Sequence, residues 1–305
     1  PLRNKGYTLK MDTATLQAFV EAAKLGSFSQ ASETLFITQS AVSKRIAQLE
    51  DQLSTRLFDR IGRKISLTES GHALLPKARR ILAELEDARR LLDNLSGDIA
   101  GRLSLAASHH ISLHRLPDTL RRFTKKHPSV ELDLRFYESE IAYEAVVHGD
   151  IELALITLSP ESDRRIHAET LWMDKLYYCV SSEHPLASIK NPDFVTINNY
   201  PGILPAPDTF TSKIVHTQLS QQGLIPNLGI STNYLDTIRM MVSIGLGWSL
   251  LPESLIDDTL VRLKTTSEPI ERPLGFIYHR DRTLSNAARQ LINELTLNGD
   301  TLNKP

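Results

Sequence analysis

The sequence predicts an α/β protein in three consecutive parts: a helix-rich head closed by a short β-hairpin, one long helix, and a larger two-lobed α/β domain. Three observations support this prediction. Two short helical segments lie close together in residues 27–53, a heptad-like apolar repeat fills residues 70–97, and strand and helix patterns alternate from residue 101 onward. Such alternation is typical of a sheet covered by helices, and 305 residues are enough for two or three domains.

The head is predicted to contain two short helices joined by a tight turn at residues 36–38. Ser29 is the expected N-cap of the first helix, whose apolar face carries Ala31 and Leu35 four residues apart. The second helix has apolar residues at helical spacing that predict its core face: Val42, Ile46, Leu49 and Leu53. Its opposite face is polar and is expected to lie in solvent.

The polar face of the second helix carries side chains of the types that bind DNA bases and phosphates. Glutamine hydrogen-bonds the adenine edge in two places, lysine and arginine bind guanine edges or phosphates, and serine binds bases or phosphates. We therefore expect DNA contacts from the start of this helix and along its polar face: Thr38, Gln39, Ser40, Ser43, Lys44 and Arg45.

Two short extended segments around Gly62 follow the second helix and predict a β-hairpin, or wing. Three cations stand near its tip, at Arg60, Arg63 and Lys64. Cations beside a reading helix bind phosphates, which raises affinity in a salt-dependent way and adds little sequence information. Because the whole chain is nearly neutral, with 35 Lys and Arg against 36 Asp and Glu, DNA binding has to come from this local cluster.

The residues from Leu16 to Pro76 resemble the winged helix-turn-helix of the LysR-type transcriptional regulators. Five segments carry the resemblance in the family's order and spacing: GSFSQAS, TQSAVSKRI, LEDQL, LFDR and LTESG. Ser54 departs from the family, which usually has glycine after the recognition helix. Met11 stands where the family normally starts, so residues 1–10 are expected to be a tag or leader remnant and residues 11–69 the DNA-binding domain.

Residues 70–97 are predicted to form one linker helix, with Thr68 as its N-cap and Gly97 as its stop. Pro76 falls in the first turns, where a missing amide costs least. The apolar residues follow one another in steps of four and three and form a seam: Leu74, Ala78, Ile81, Leu85, Ala88, Leu92 and Leu95. The seam predicts pairing between subunits, which is favoured because such a head usually needs a symmetric partner to reach two half-sites. The alternative is packing on its own C-terminal domain.

The remaining chain alternates predicted strands with predicted helices. The strands are 103–107, 130–136, 151–156, 175–181, 248–251 and 274–279. The helices are 116–126, 142–148, 211–222, 236–244 and 285–297. This order predicts a parallel sheet covered on both faces.

The resemblance implies that residues 101–300 form an effector-binding domain similar to the type 2 periplasmic binding proteins. Lobe I would comprise residues 101–172 and 275–300, and lobe II residues 173–274. The same resemblance implies hinges near residues 171–175 and 272–276.

Ligands of open α/β sheets bind beyond the carboxyl ends of strands, beside helix N-termini that favour anions. Hydroxyl and imidazole side chains are concentrated there in both lobes and match the family's effector-contacting loops. The predicted cleft residues are Ser108, His109, His110, Thr157, Thr209, Phe210, Thr211 and Asn233. We expect a small anionic effector, with the Phe210 ring limiting its volume, although N-capping explains each hydroxyl about as well.

Other sites are not favoured by the sequence. His109, His110 and His114 suggest a metal cluster, but no cysteine pair or nearby carboxylate set completes it, so no metal or other cofactor is predicted. The segment 245–247 has two glycines before a strand, which favours a tight turn over a nucleotide site. Cys179, the only cysteine, excludes an intramolecular disulfide, and its apolar neighbours favour core packing over redox sensing.

The sequence therefore predicts a transcription regulator controlled by a small molecule, and not an enzyme. The alternative is a small-molecule binding protein or enzyme with an accessory helix-turn-helix, yet no nucleophile elbow, phosphate loop or catalytic carboxylate pair is recognisable. Expected partners are double-stranded DNA with an interrupted inverted repeat, a small effector, and further copies of the chain, which the resemblance implies as a dimer of dimers. Without a long apolar span or a secretory signal, a bacterial cytoplasmic protein with no membrane contact is expected.

Overall fold

The computed structural model describes residues 11–61, 64–265 and 268–299. The chain divides into two compact units, with the boundary between Arg90 and Leu91. Within the described residues, every helix is too short or too polar to cross a membrane.

The first unit contains three short helices, a β-hairpin and most of one long helix. Its elements are α1 (Thr13–Leu25), α2 (Phe28–Thr34), α3 (Gln39–Leu53), β1 (Phe58–Ile61), β2 (Lys64–Leu67) and α4 (Glu69–Asn94). The predicted core face of α3 is confirmed, because Val42, Ile46 and Leu49 are fully buried and Leu53 packs at the edge of the same cluster.

The first predicted N-cap is two residues too late. Ser27, not Ser29, caps α2, and its Oγ accepts a hydrogen bond from the N–H of Gln30 at 3.3 Å. The physical reason is Phe28, which begins the helix as a buried residue and packs edge-on against Phe58 with ring centroids 5.4 Å apart. Tertiary packing of this ring therefore decides where the helix starts.

The turn before α3 and the end of α3 both need left-handed backbone. Phe36 in the turn has φ of 53° and Ser54 has φ of 51°. Ser54 closes α3 as its C-cap, where its N–H donates to the carbonyl of Asp51 at 3.2 Å. A glycine adopts this conformation at no steric cost, which is the physical reason for the glycine that the family usually has where this chain has Ser54.

The long helix α4 begins as predicted but ends three residues before the predicted stop, Gly97. The Oγ1 of Thr68 accepts a hydrogen bond from the N–H of Gly71 at 3.0 Å, as an N-cap does. Residues in the first half of α4 pack on the core of the first unit: Leu74, Leu75, Ala78 and Leu82. Farther along, large apolar side chains are 40–78% exposed: Ile81, Leu85, Leu91, Leu92 and Leu95.

The second unit is a mixed α/β structure. Its strands are β3 (Gly101–Ala107), β4 (Val130–Phe136), β5 (Leu153–Thr157), β6 (Ile166–Ser181), β7 (Gly202–Leu204), β8 (Leu228–Ser231), β9 (Ser249–Pro252), β10 (Leu260–Arg262) and β11 (Ile270–His279). Its α-helices are α5 (His109–His114), α6 (Pro117–Lys126), α7 (Ser139–Val147), α8 (Phe194–Asn198), α9 (Phe210–Gln221), α10 (Leu235–Ser243) and α11 (Asn286–Gly299).

The main sheet has the strand order β10-β6-β11-β5-β3-β4, and β9 also pairs with β6. The predicted parallel arrangement holds where β3 pairs with β4 and β5. It is wrong for the rest of the sheet, because β11 runs antiparallel to both β5 and β6. Long strands that pair antiparallel do not need a helical crossover between them.

Strands β6 and β11 run side by side through the expected hinge positions. Arg272 lies opposite Asp174 in this ladder, and the register shifts between Leu274 and Gly275. One hydrophobic cluster lies on the lobe I side of this point, around Phe123 and Phe276, and another on the lobe II side, around Trp248. The names lobe I and lobe II are used below for these two parts, whose bounds stay predictions.

Candidate nucleic-acid interface and effector cavity

The polar face of α3, which is predicted to contact DNA, results from the amphipathic pattern of the helix. With the apolar residues turned inward, Gln39, Ser40 and Lys44 are exposed, and Ser43 and Arg45 are half-buried. Thr38, predicted as a DNA contact, is the N-cap of α3: its Oγ1 lies 3.2 Å from the N of Ala41. The same Oγ1 lies 2.9 Å from Ser40 Oγ. The hydroxyl therefore has a structural role beside any contact with a phosphate.

A carboxylate holds the end of α3 against the β-hairpin. Glu50 Oε1 accepts hydrogen bonds from the backbone N–H groups of Leu57 at 2.7 Å and Phe58 at 3.2 Å. The sequence reasoning treated Glu50 as an interspersed negative charge and missed this role. No local pattern in the sequence indicated this role, because the two N–H groups that it binds lie seven and eight residues farther along the chain.

The predicted wing is present as the antiparallel pair β1 and β2, with Phe58 opposite Leu67 and Ile61 opposite Lys64. Arg63 lies outside the described residues, as do the side chains of Arg60 and Lys64. Binding of phosphates by these three cations stays a prediction.

Phe36 is a second residue that the sequence reasoning missed. Its side chain is 95% exposed, and the residue lies in the turn just before the reading helix. The sequence indicated only a turn here. An exposed phenylalanine at this position can contact the methyl group of thymine.

The second unit has a cavity of about 160 Å³ between the lobes, at the ends of β3, β4 and β5. It brings together the predicted effector residues, with one exception: Ser108, His109, His110, Thr157, Thr209, Thr211 and Asn233 all line it. Ser108 is the N-cap residue of α5 but makes no capping hydrogen bond with its side chain. Its hydroxyl is therefore available to a ligand.

Phe210 is the exception. It belongs to lobe II, but its ring is buried in a cluster of lobe I residues that includes Ala142 and Ile156. It packs edge-on against Tyr143, with centroids 5.7 Å apart. The prediction that this ring limits the cavity is therefore wrong. The apolar strand ends of lobe I offer the ring a better environment than a polar cleft does.

The N-terminus of α9 already has hydrogen-bond acceptors. Thr209 Oγ1 accepts from the N–H of Ser212 at 3.2 Å, which is ordinary N-capping. The N–H of Phe210 donates to the carboxylate of Glu140, which comes from lobe I. Asn233, another predicted contact, uses its Oδ1 to accept from the N–H of Ala206 at 2.9 Å. Several predicted ligand groups thus also hold the loop before α9.

A buried ion cluster lies at the floor of the cavity. Asp174 accepts hydrogen bonds from Arg115 Nη2 at 2.9 Å and from Arg272 Nη2 at 2.5 Å. His110 Nε2 lies 3.3 Å from the same carboxylate. Burial by itself raises the pKa of Asp174, but His110 and the charge of Arg272 outweigh it and hold the pKa well below its usual range.

Burial lowers the pKa of His110, and the charge of Arg272 lowers it further, against the raising effect of Asp174. His110 is therefore neutral at neutral pH. Among the described residues, neither ring nitrogen has a hydrogen bond of good geometry. The imidazole fills the floor without adding positive charge there.

The sequence reasoning missed three charged residues that line the cavity, Glu138, Glu140 and Arg272, and the carboxylate of Asp174 that pairs with Arg272 behind the lining. Asp174 and Arg272 are each at most 3% exposed, and the residues two positions before and after each of them on the same strand face are buried apolar residues. A charged residue in a buried strand is rare unless it is paired, and this is the signal that could have identified them.

The described residues contain no cluster of three or more histidine, cysteine or acidic side chains that could hold a metal ion. Cys179 is fully buried, and burial raises the pKa of its thiol to about 12. Its position favours the core role over redox sensing, because a buried thiol with a raised pKa is unreactive.

Comparison with known proteins identifies both parts of the chain. Residues 13–72 match the family described as bacterial regulatory helix-turn-helix protein, lysR family. Residues 96–298 match the LysR substrate binding domain. The transcriptional dual regulator GltC of Bacillus subtilis (strain 168) is 30% identical over 283 residues, which cover 91% of this chain and 94% of that protein.

Solved structures have the same fold. A full-length OxyR variant from Pseudomonas aeruginosa matches with a TM-score of 0.69 and 21% identity, covering 94% of this chain and 98% of that one. CbnR complexed with its target DNA matches with a TM-score of 0.62 and 20% identity, covering 95% and 100%. With both family descriptions matched and a relative aligned over nearly its whole length, the chain belongs to the LysR family of DNA-binding transcriptional regulators, and not to a family of enzymes.

Proposed function

We propose that this LysR-family regulator binds an interrupted inverted repeat in DNA as a symmetric oligomer, and that a small anionic effector in the interlobe cavity controls that binding. The observation that carries the proposal is the cavity itself, because residues distant in sequence converge there with buried polar groups. Ser108, Thr157 and Arg272 are each less than a tenth exposed and all line it. Buried polar groups around an open volume are typical of ligand sites.

DNA reading is assigned to α3. Gln39, Ser43 and Arg45 are placed to contact base edges, and the wing cations Arg63 and Lys64 to bind phosphates. The complex of CbnR with its target DNA supports this assignment, since it shows a protein of the same fold on DNA.

Pairing of two copies is assigned to the exposed apolar residues of α4. Leu85 is 48% exposed and Leu92 67%, and Leu95, directly after the last residue of the helix, is 78% exposed. A row of exposed leucines on one helix is costly in water and is normally covered. A second copy of α4 has the matching seam, and a dimer of dimers in the cytoplasm is the assembly that the family resemblance favours.

Control by the effector requires that it prefers one arrangement of the oligomer over the other. The effector contacts both lobes, so its binding changes how tightly the lobes are held together. We propose that this change alters subunit packing and reaches the DNA-binding heads through the α4 helices.

Fluorescence anisotropy with DNA from upstream of the protein's own coding region tests the proposal. Operator affinity is measured with and without a panel of small organic acids, for the native protein and for Thr157→Val. We expect at least one acid to change the affinity, and Thr157→Val to require about tenfold more of it, because a hydrogen bond to a charged group is lost. Thr124→Val, exposed on α6, is the matched control. Failure to bind the fragment at low salt, or indifference to every acid, would refute the proposal.

A further inference from the structure

The floor of the interlobe cavity carries surplus positive charge. Two guanidinium groups, Arg115 and Arg272, share the single carboxylate of Asp174. Arg272 is 2% exposed, and its Nε has no hydrogen-bond partner among the described residues. A buried donor without a partner is costly. The floor is therefore complementary to one anionic group of a ligand.

Another part of the lining is acidic and aromatic. Glu138 and Glu140, at the start of α7, line the cavity together with Phe136 and Tyr234. Glu138 is the N-cap residue of α7, but its side chain makes no capping hydrogen bond. Helix capping therefore does not explain its carboxylate. Carboxylates and aromatic faces are the groups with which proteins bind an ammonium ion.

A ligand with only negative charge fits this lining poorly. Among the charged residues that line the cavity, the carboxylates of Glu138 and Glu140 outnumber the guanidinium group of Arg272. At the N-terminus of α9, the Phe210 N–H already donates to Glu140 and is not available to a ligand anion. A ligand with one anionic and one cationic group pairs with both parts and leaves the total charge unchanged.

We propose that the effector is a small amino acid, with its carboxylate at Ser108 and Arg272 and its ammonium group at Glu138. The inference rests on the proposed function, since it names the effector class of the same cavity, and it narrows the anionic effector proposed there to one that carries an ammonium group beside its carboxylate. The volume of about 160 Å³ suits this class. A protein cavity of about 150 Å³ holds one benzene molecule, so a free amino acid fits and a much larger metabolite does not.

Isothermal titration calorimetry on the full-length protein tests the ligand class. The common L-amino acids are titrated first, and each that binds is compared with its des-amino acid, such as L-aspartate with succinate or L-leucine with 4-methylpentanoate. Each pair differs only in the ammonium group. We expect an amino acid to bind about tenfold or more tightly than its partner, as a charge-assisted hydrogen bond allows.

Glu138→Gln keeps the shape of the side chain and removes its charge. We expect this variant to shrink the difference within a pair to about threefold or less. Glu131→Gln, exposed on β4 and outside the cavity, is the matched control and should keep the difference. Equal binding of an amino acid and its des-amino acid, an unchanged difference in Glu138→Gln, or no amino-acid binding at millimolar concentration would each overturn the inference.

Operator binding by the same samples separates this inference from the proposed function. If a des-amino acid changes DNA binding and no amino acid does, control through the cavity stands and the ligand class is wrong. If an amino acid binds as expected but leaves DNA binding unchanged, the ligand class stands and the regulatory function fails.

Discussion

At the residue scale, Asp174 shows how strongly one buried group depends on its neighbours. Its carboxylate touches two guanidinium groups and one imidazole, and all four side chains are largely excluded from water. Removing one member of a buried ion cluster leaves the remaining charges buried without a counter-charge. The resulting loss of folding free energy is larger than the net stabilisation that the intact cluster provides. The cavity floor and the pairing of β6 with β11 at this point therefore depend on Asp174.

Asp174→Asn is expected to lower the free energy of unfolding by about 3–5 kcal/mol, because two buried guanidinium groups lose their counter-charge. Urea denaturation at neutral pH measures the change. Asp118→Asn, whose side chain is 77% exposed beside Arg121, is the control and should stay within about 0.5 kcal/mol of the native protein. A loss below about 1 kcal/mol in Asp174→Asn would show that the cluster is not held by this carboxylate.

The same residue predicts a pH dependence. The pKa of Asp174 is lower in the folded than in the unfolded protein, so its stabilising contribution is complete above the unfolded value of about 3.9 and declines as the pH falls below it. The difference in stability between the native protein and Asp174→Asn should therefore narrow below about pH 4. Urea titrations between neutral pH and this range test the trend, and a gap that widens with acid would contradict it.

At the element scale, the structure shows why α4 has to begin with Gly71 in its first turn. A Cβ added there would lie 2.2 Å from the carbonyl oxygen of Leu57 and 2.8 Å from Leu67 Cδ2. The helix therefore lies so close to Leu57 and to the β-hairpin residue Leu67 that no side chain fits at position 71. This close contact holds the hairpin against the start of α4.

Gly71→Ala is expected to destabilise the head by about 1–3 kcal/mol, because the added methyl group meets backbone that cannot move freely. Thermal unfolding followed by circular dichroism measures the effect. Lys77→Ala, exposed in the same helix, is the control and should leave the melting temperature nearly unchanged. Equal melting temperatures for the two variants would mean that α4 can shift away from the hairpin.

The two DNA-binding elements are expected to differ in what they read. Gln39→Ala or Ser43→Ala should weaken the specific site by about 1–3 kcal/mol and leave random sequence nearly unaffected. Arg63→Ala should weaken all sequences alike and reduce the slope of log affinity against log salt by about 1. Anisotropy titrations at several salt concentrations separate the two effects. If both groups of variants behave alike, the division into base readers and phosphate readers is wrong.

Elements whose apolar pattern is contained in their own stretch of sequence were predicted well. The strand 130–136 has the bounds of β4, and the helix 116–126 differs from α6 by one residue. Others were missed because their signal is weak or non-local. Residues 167–170 of β6 are mostly polar and largely exposed, and all of β8 is exposed, so neither segment has the buried face that predicts a strand.

The candidate site was predicted in the same uneven way. Side chains at or directly after the end of a strand, such as Ser108 and Thr157, could be placed at the cavity because parallel strands end at one edge of a sheet. Asp174 and Arg272 could not, because they meet only through the register of two strands that are distant in sequence. No local pattern specifies that register.

At the scale of the whole molecule, we predict that the exposed leucines of α4 pair subunits and that this pairing is needed for tight DNA binding. Leu92→Glu is expected to weaken pairing, because each exposed leucine buried by a partner contributes about 1.5–3 kcal/mol and a charge there is unpaired. Sedimentation velocity should show a smaller species, and operator affinity should fall by about tenfold or more as one head loses its partner.

Lys77→Glu changes charge at another exposed position of the same helix and provides the control for Leu92→Glu. It should keep the native assembly and most of the operator affinity. If Leu92→Glu sediments like the native protein, the seam of α4 is not the contact between subunits and another surface holds the oligomer together.

The burial of Phe210 sets a free-energy cost for separating lobe I from lobe II. Its ring comes from lobe II and lies among lobe I side chains, so separating the lobes would return it to water. That transfer costs about 1.5–3 kcal/mol. This cost by itself would restrict the form with separated lobes to roughly one molecule in ten or fewer. We therefore expect the lobes of the free protein to stay together most of the time, so that the proposed effector would strengthen a contact between the lobes that already exists.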